Sequence, residues 1–438
     1  MNILLFDVDG VLVEDRGYRA SLIATINYYS RMMGQGDSAP DEAAIEVFHA
    51  HGYTNEWEIC PLAIGALVVL GLRARPDLPL TPAPLDDFLA QFRSVRAGPI
   101  DYRAWIAGTT DRPGRPSERA LSALKEALAG LPVPDPIRAA AASTLDELLT
   151  DPYDFANAVL TQVFQEHALG SSLFEEVYRM RPRFDVPSLL YNEDRSALDP
   201  AARSALLNLV ADTGARLCVY TARPSLPPAD IVSWLTDTFR LPPGFSPEAE
   251  LAMQMVDLGD FPLIAMGRMQ WLADRVGARV EYLTKPAPIQ ALAAIIAAVS
   301  RRESEALQSA YRMVSEGEAI DTLAGLEDQS IDVWVVEDAR LGVSAAVGAI
   351  DLLRKHNLDV RLHALGVSAG GPKADALAGL CEAIVPTVND AITYIVDRIR
   401  AAQLSASNLQ PFDSAQGQSP TSNPSTSLRT GLQSPTSS

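Results

Sequence analysis

The chain has 438 residues, 47% of them apolar, with 36 Lys and Arg against 55 Asp and Glu, a net charge of −19. That length fits two or three domains with a sizeable core, and the acidic balance excludes a broad electropositive surface for nucleic acid or anionic lipid. An anionic small substrate stays open, because a few convergent cations hold a phosphate inside an acidic protein. Cys60, Cys218 and Cys381 are widely separated and make neither a disulfide framework nor a metal-ligand spacing, which fits a reducing, cytoplasmic compartment.

Along the chain, the apolar start Met1–Phe6 meets an acid at Asp7, too early for a signal peptide. The longest apolar run, Pro61–Leu72, has 12 residues. A membrane span needs about 20, so a buried helix is expected there. Ile3–Phe6, Leu217–Tyr220, Val280–Leu283, Ile331–Val336 and Leu362–Val367 are short, mostly apolar runs that read as strands buried on both faces of a parallel sheet. Each of the first four is followed by a polar or charged residue. Helical stretches at Asp199–Thr213, Pro288–Val299 and Gly342–His356 alternate with them, which indicates a doubly wound, Rossmann-like α/β core. Ligands of such sheets sit beyond the carboxyl ends of the strands.

From about Arg16 to Leu190 the pattern changes to 3.6-residue periods: Tyr18–Met33, Asp41–His51, Glu58–Leu72, Leu85–Val95, Ser117–Leu131, Phe155–His167 and Ser172–Met180. Clusters such as Asp111-Arg112-Pro113-Gly114 and Pro132–Pro136 punctuate them. The expected organisation is a core of residues 1–15 and 191–404, a helical insertion at 16–190, and a tail at 405–438. That tail contains ten Ser, and its charged residues are Asp413 and Arg429. It repeats Gln-Ser-Pro-Thr-Ser and is expected to be disordered, with no function assigned.

The first chemical signal is Asp7-Val8-Asp9-Gly10 directly after the first strand. Two carboxylates so close need a cation, or one of them must hold a proton; the plain alternative is a loop opened by ordinary turn residues. Asp7-Val8-Asp9-Gly10-Val11-Leu12 resembles the first motif of the haloacid dehalogenase (HAD) superfamily, mostly Mg²⁺-dependent phosphatases and phosphotransferases. The other three motifs follow in order. Thr221 ends a strand and opens Thr221-Ala222-Arg223-Pro224, Lys285 precedes a helix, and Glu337-Asp338 follows Ile331–Val336.

The resemblance implies an α/β HAD-like core with a mostly helical C1-type cap, similar to subfamily I. It implies Asp7 as nucleophile and Asp9 as general acid and base. Mg²⁺ is expected on the Asp7 and Asp338 carboxylates and the Asp9 carbonyl, with Glu337 as a further or water-mediated ligand. Thr221, with the backbone near Gly10 and Ala222, would hold phosphate oxygens, and Lys285 would neutralise Asp7 and the phosphoryl charge.

Each residue also has a plainer reading. Thr221 would be a helix N-cap, Lys285 a surface lysine, Glu337-Asp338 a complement to a helix dipole. Arg223 is either a second phosphate cation or a partner for an acid. Within the cap, Gly52–Glu58 and Tyr191-Asn192-Glu193 resemble segments of some HAD hydrolases, with packing of Trp57 as the simpler role. His49, His51, His167, His356 and His363 show no metal-pair spacing. The expected function is a Mg²⁺-dependent phosphatase acting on a small phosphorylated metabolite, with no nucleic-acid or membrane partner. The alternatives are a phosphomutase, a 2-haloacid dehalogenase (disfavoured by Asp9), or a non-catalytic binding protein on the same fold.

Overall fold

The computed structural model describes residues 1–53, 55–232, 245–319, 323 and 329–407. Among the described residues, six strands form one parallel sheet: β1 (Asn2–Phe6), β2 (Arg216–Tyr220), β3 (Leu263–Ile264), β4 (Ile331–Glu337), β5 (Val360–Val367) and β6 (Ala383–Val385), in the order β3-β2-β1-β4-β5-β6. Helices flank the sheet, giving a Rossmann-like α/β core. Ile3, Leu4, Leu5 and Phe6 of the central β1 are all fully buried, as an aliphatic run without a solvated face requires. Phe6 registers with Val219 of β2 and with Val336 of β4. Asp7, Tyr220-Thr221 and Glu337-Asp338 thereby come level at the carboxyl edge of three adjacent strands.

The expected strand at Val280–Leu283 is absent. Val280–Tyr282 is a single 3₁₀ turn, with Glu281 and Tyr282 exposed and Glu281 paired to Arg279. A run with two side chains in water cannot be covered on both faces. The place beside β2 goes instead to Leu263–Ile264, which is buried. Lys285 therefore follows a turn rather than a strand and precedes the helix Pro288–Ser300.

Among the described residues, 16–193 hold ten helices: Arg16–Met32, Glu42–Ala50, Glu56–Ala74, Leu85–Ala90, Tyr102–Ala107, Pro116–Ala129, Asp135–Leu149, Val159–Leu169, Ser171–Tyr178 and Leu189–Glu193. They enclose a hydrophobic cluster of their own, running from Leu22 to Leu190, while a second cluster lies against the sheet. The chain leaves and re-enters the sheet layer through a two-stranded antiparallel ribbon, Val13–Glu14 against Arg195–Ser196. The helix Asp135–Leu149 begins among prolines read above as punctuation. Pro134 stands at its N-cap and Pro136 in its first turn, where a missing N–H costs nothing. The helix Glu56–Ala74 is long and apolar enough to cross a bilayer, yet 78% of that stretch is buried within the protein.

Met1–Val396 form one compact unit. Beyond it, the described residues complete the helix Val388–Ser407. From 408 onward the tail lies outside the described residues.

Candidate active site

Asp7 is the first residue past β1, and its N–H still donates to Val336 O at 3.1 Å. The chain then folds back on itself, with Gly10 N to Val13 O at 3.0 Å and Val13 N to Val8 O at 2.9 Å. Gly10 has φ +70°, and a Cβ there would lie 2.1 Å from Asp338 Oδ2. Glycine is what lets the Asp338 carboxylate close on this turn.

Lys285 reaches into the same edge. Its Nζ lies 3.1 Å from Asp7 Oδ1, 2.6 Å from Glu337 Oε1 and 3.3 Å from Tyr220 O, with the Tyr220 ring centroid 3.9 Å away. Burial alone would lower the ammonium pKa, but Asp7 and Glu337 outweigh it and raise it. Glu337 is fully buried; burial, then the charge of Asp7, lifts its pKa against the pull of Lys285. A Cβ at Gly342 would fall 1.6 Å from Glu337 Oε1, so the carboxylate occupies space that only glycine leaves free.

Gln290 was not among the expected residues. Its Oε1 accepts from Lys285 N at 3.2 Å, and its Nε2 donates to Thr221 O at 2.8 Å and Ile264 O at 3.2 Å. One buried amide thus ties together the backbones of Lys285, Thr221 and β3. The available signal was a lone Gln on the apolar face of Pro288–Ser300.

Thr221 is fully buried, and its Oγ1 accepts from Arg223 N at 3.2 Å. No helix starts there, so the hydroxyl closes a turn rather than capping a helix; Ala222 beside it is exposed.

Of the two places expected for Arg223, the structure shows the one beside an acid. It is 2% exposed, its Nε and Nη2 lie 2.7 and 2.6 Å from Asp9 Oδ1, and Nη2 lies 2.9 Å from Asp194 Oδ2. Its guanidinium also covers the Tyr18 ring at 4.9 Å. Two carboxylates and a ring already engage the fork. Burial raises the Asp9 pKa to about 7, against the opposing charge and hydrogen bond of Arg223. Asp194 escaped the sequence reading; its other oxygen accepts from Gly17 N at 2.7 Å, binding the two crossings of the chain together.

One carboxylate oxygen from each of Asp7, Glu337 and Asp338 lies within 4.8 Å of the others. Asp7 Oδ1 is buried and, despite its distance to Lys285, accepts no well-directed hydrogen bond. An all-oxygen set with an unsatisfied buried acceptor fits a hard divalent cation such as Mg²⁺. The Asp9 side chain stands outside this cluster and faces Arg223. Burial also raises the pKa of Asp338, countered by an ion pair with Lys373, a residue the sequence reading did not single out.

In the helical layer, Asn55 caps Glu56–Ala74 by accepting from Trp57 N at 2.8 Å, and Trp57 packs on Tyr153 at 5.7 Å. Thr54 lies outside the described residues. Tyr191 is 75% exposed.

No protein-family model and no curated protein matches this chain. Among solved structures, an X-ray structure determined as a target of the Northeast Structural Genomics Consortium matches with a TM-score of 0.57 and 16% identity, covering 91% of this chain and 99% of that one. The two share a fold. Weaker likenesses are to a phosphatase from Thermococcus thioreducens (TM-score 0.39, 15% identity, 91% and 99% covered) and to a conserved haloacid dehalogenase-like protein of unknown function from Agrobacterium tumefaciens (TM-score 0.29, 12% identity, 92% and 98% covered). The likeness shows the fold: Asp7, Thr221, Lys285 and Glu337-Asp338, in that order along the chain, meet at the carboxyl edge of a Rossmann-like sheet.

Proposed function

We propose that this chain is a HAD-type hydrolase, specifically a Mg²⁺-dependent phosphatase that cleaves a small phosphorylated metabolite through an aspartyl-phosphate. The observation that carries this reading is the pairing of two unlike carboxylates at one turn. Asp7 faces Lys285 and the acidic pair, while Asp9 faces Arg223 and has a pKa near neutrality.

In this reading, an Asp7 oxygen attacks phosphorus and the bond to the leaving oxygen breaks. Asp9, which keeps a proton in part of the molecules near neutral pH, delivers it to that oxygen. Water then attacks the phosphorus of the aspartyl-phosphate and gives its proton to Asp9, and the bond to Asp7 breaks, releasing orthophosphate. Lys285 offsets the charge of Asp7 and Glu337 so that an anion can approach. Thr221 and the backbone around Gly10 and Ala222 border the phosphoryl position. Asp7, Glu337 and Asp338 would hold the divalent cation, which supplies further screening of the phosphoryl oxygens. Helices of the insertion would form a cap that admits substrate and excludes water, and the protein would work in the cytoplasm.

Replacing Asp7 with Asn tests the assignment. Turnover of p-nitrophenyl phosphate is expected to vanish while the circular dichroism spectrum stays unchanged; retained turnover refutes the nucleophile. Orthophosphate released in step with substrate consumed, across a panel of phosphorylated metabolites, separates hydrolysis from phosphoryl transfer to a second hydroxyl.

A further inference from the structure

Building on the reading of Asp7, Glu337 and Asp338 as a divalent-cation site, we propose that Lys373 is an exchangeable counter-ion, which pairs with Asp338 in the metal-free protein and must leave that carboxylate when a cation binds.

The geometry sets Lys373 apart from the other cations of the site. Its Nζ is paired with Asp338 Oδ2. The same two groups press on the Asp9–Gly10 turn, for a Cβ at Gly10 would meet Asp338 Oδ2 at 2.1 Å and Lys373 Nζ at 3.1 Å. The ammonium therefore stands at the cluster itself. Lys285, in contrast, has a side chain 10% exposed and is fixed by Asp7, Glu337, Tyr220 O and the Tyr220 ring. Withdrawing it would strand a fully buried Glu337. Arg223 is equally bound, by Asp9 and Asp194. The Lys373 side chain is 48% exposed and follows two glycines at positive φ, Gly370 and Gly371. The Asp338 side chain is 15% exposed, so its carboxylate gives up the ammonium cheaply where a cation takes that place, while Lys373 returns to water.

Charge counting gives the direction. Asp7, Glu337 and Asp338 carry three negative charges, and Lys285 with Lys373 returns two positive ones. A divalent cation and an ammonium on one carboxylate repel at short range, so the two compete for Asp338. Lys373 thus lowers apparent metal affinity, and its departure frees an ammonium at the mouth of the site.

The test is Mn²⁺ binding to the full chain, read by electron paramagnetic resonance and calorimetry with no substrate present. K373M and K373Q are both expected to bind Mn²⁺ about 3–10-fold tighter than the wild type, while K373R, which keeps the charge, does not tighten. Two neutral side chains of different polarity separate charge from packing. Unchanged or weaker binding in both neutral variants overturns the proposal. If the wild type binds Mn²⁺ and D338N loses it, that failure belongs to Lys373 alone. If the wild type binds no Mn²⁺, the metal site in the functional reading falls, and this proposal falls with it.

Discussion

The carboxyl edge of the sheet and the interior of the helical layer are both buried, and they are held by opposite means. At the sheet edge Lys285, Glu337, Asp7, Arg223 and Asp194 each have side chains 11% exposed or less and are joined by ion pairs. In the helical layer the interior is aliphatic and aromatic, and ion pairs such as Arg19–Glu42 and Arg31–Asp37 lie on the surface. A buried charge network is cooperative because each loss strands a partner, whereas an apolar cluster spreads the loss over many contacts. Chemistry can be held only in the first kind of interior. The second supplies bulk and a surface whose side chains are freer to change.

The largest predicted difference follows from removing one charge in each region. Lys285→Met leaves Asp7 and Glu337 facing each other without their cation. A cost of about 3–5 kcal/mol in urea unfolding is expected, with turnover lost. Arg31→Met breaks a pair whose side chains are 63% and 59% exposed, and should cost less than about 0.5 kcal/mol. Equal losses in the two variants would show that the sheet edge is not a network.

Two glycines sharpen the contrast. A Cβ at Gly342 meets the Glu337 carboxylate at 1.6 Å, and that carboxylate cannot yield without releasing Lys285. A Cβ at Gly65 meets Leu124 Cδ1 at 2.7 Å and Leu145 Cδ2 at 3.1 Å, the far ends of flexible side chains. Gly342→Ala is expected to destabilise by about 1–3 kcal/mol and to cut kcat more than tenfold. Gly65→Ala gains helix propensity while displacing two leucines, so a change within about 1 kcal/mol is expected, with kcat unaltered. Thermal melts and p-nitrophenyl phosphate turnover on both variants decide the matter.

Asp194 lies where the two regions join, because one oxygen holds Gly17 N at the start of the helical layer and the other holds Arg223. Asp194→Asn keeps the shape and weakens the grip on Arg223, and so loosens Asp9. If Asp9 is the proton donor, kcat should fall roughly tenfold, about 1.4 kcal/mol, on alkyl phosphates and much less on aryl phosphates whose leaving groups need no proton. An equal drop on both substrate classes would assign Asp194 to general stability alone.

The sequence disclosed the sheet edge better than the helical layer, for a physical reason. Asp7, Thr221 and Glu337-Asp338 each follow an aliphatic run, so their placement at one edge follows from strand direction and parallel pairing. Lys285 was found although its expected strand is a turn. Its position is set by Gln290, whose partners lie in three separate segments that no local pattern connects. Asp194 and Lys373 escaped for the same reason, since a single acid or lysine has no period. In the helical layer, the Pro132–Pro136 cluster reads as a break although a first helical turn accepts proline, and this hides the helix Asp135–Leu149. Strands β3 and β6, two and three residues long, are too short to show an alternation.

The helical layer also buries acids without a close cation, and Glu58 is one of them. Glu58 is 4% exposed, and its Oε1 accepts a long hydrogen bond, 3.4 Å, from Ser117 N. Burial raises its pKa to about 7, and the hydrogen bond and the charges of Arg115 and Arg119 offset only part of that. The folded protein therefore holds the proton more tightly than the unfolded chain. The stability associated with that proton is complete below about pH 4.5, drains away as pH rises towards 7, and is gone above it. Glu58→Gln removes the ionisation while keeping an acceptor for Ser117 N. The variant should match the wild type at pH 4 and exceed it by up to about 3 kcal/mol at pH 8, with the pH 4–7 slope reduced in urea unfolding. A pH 4–7 slope unaffected by the substitution would mean that Glu58 finds a partner in the layer after all. The helical interior would then share the charge pairing that distinguishes the sheet edge.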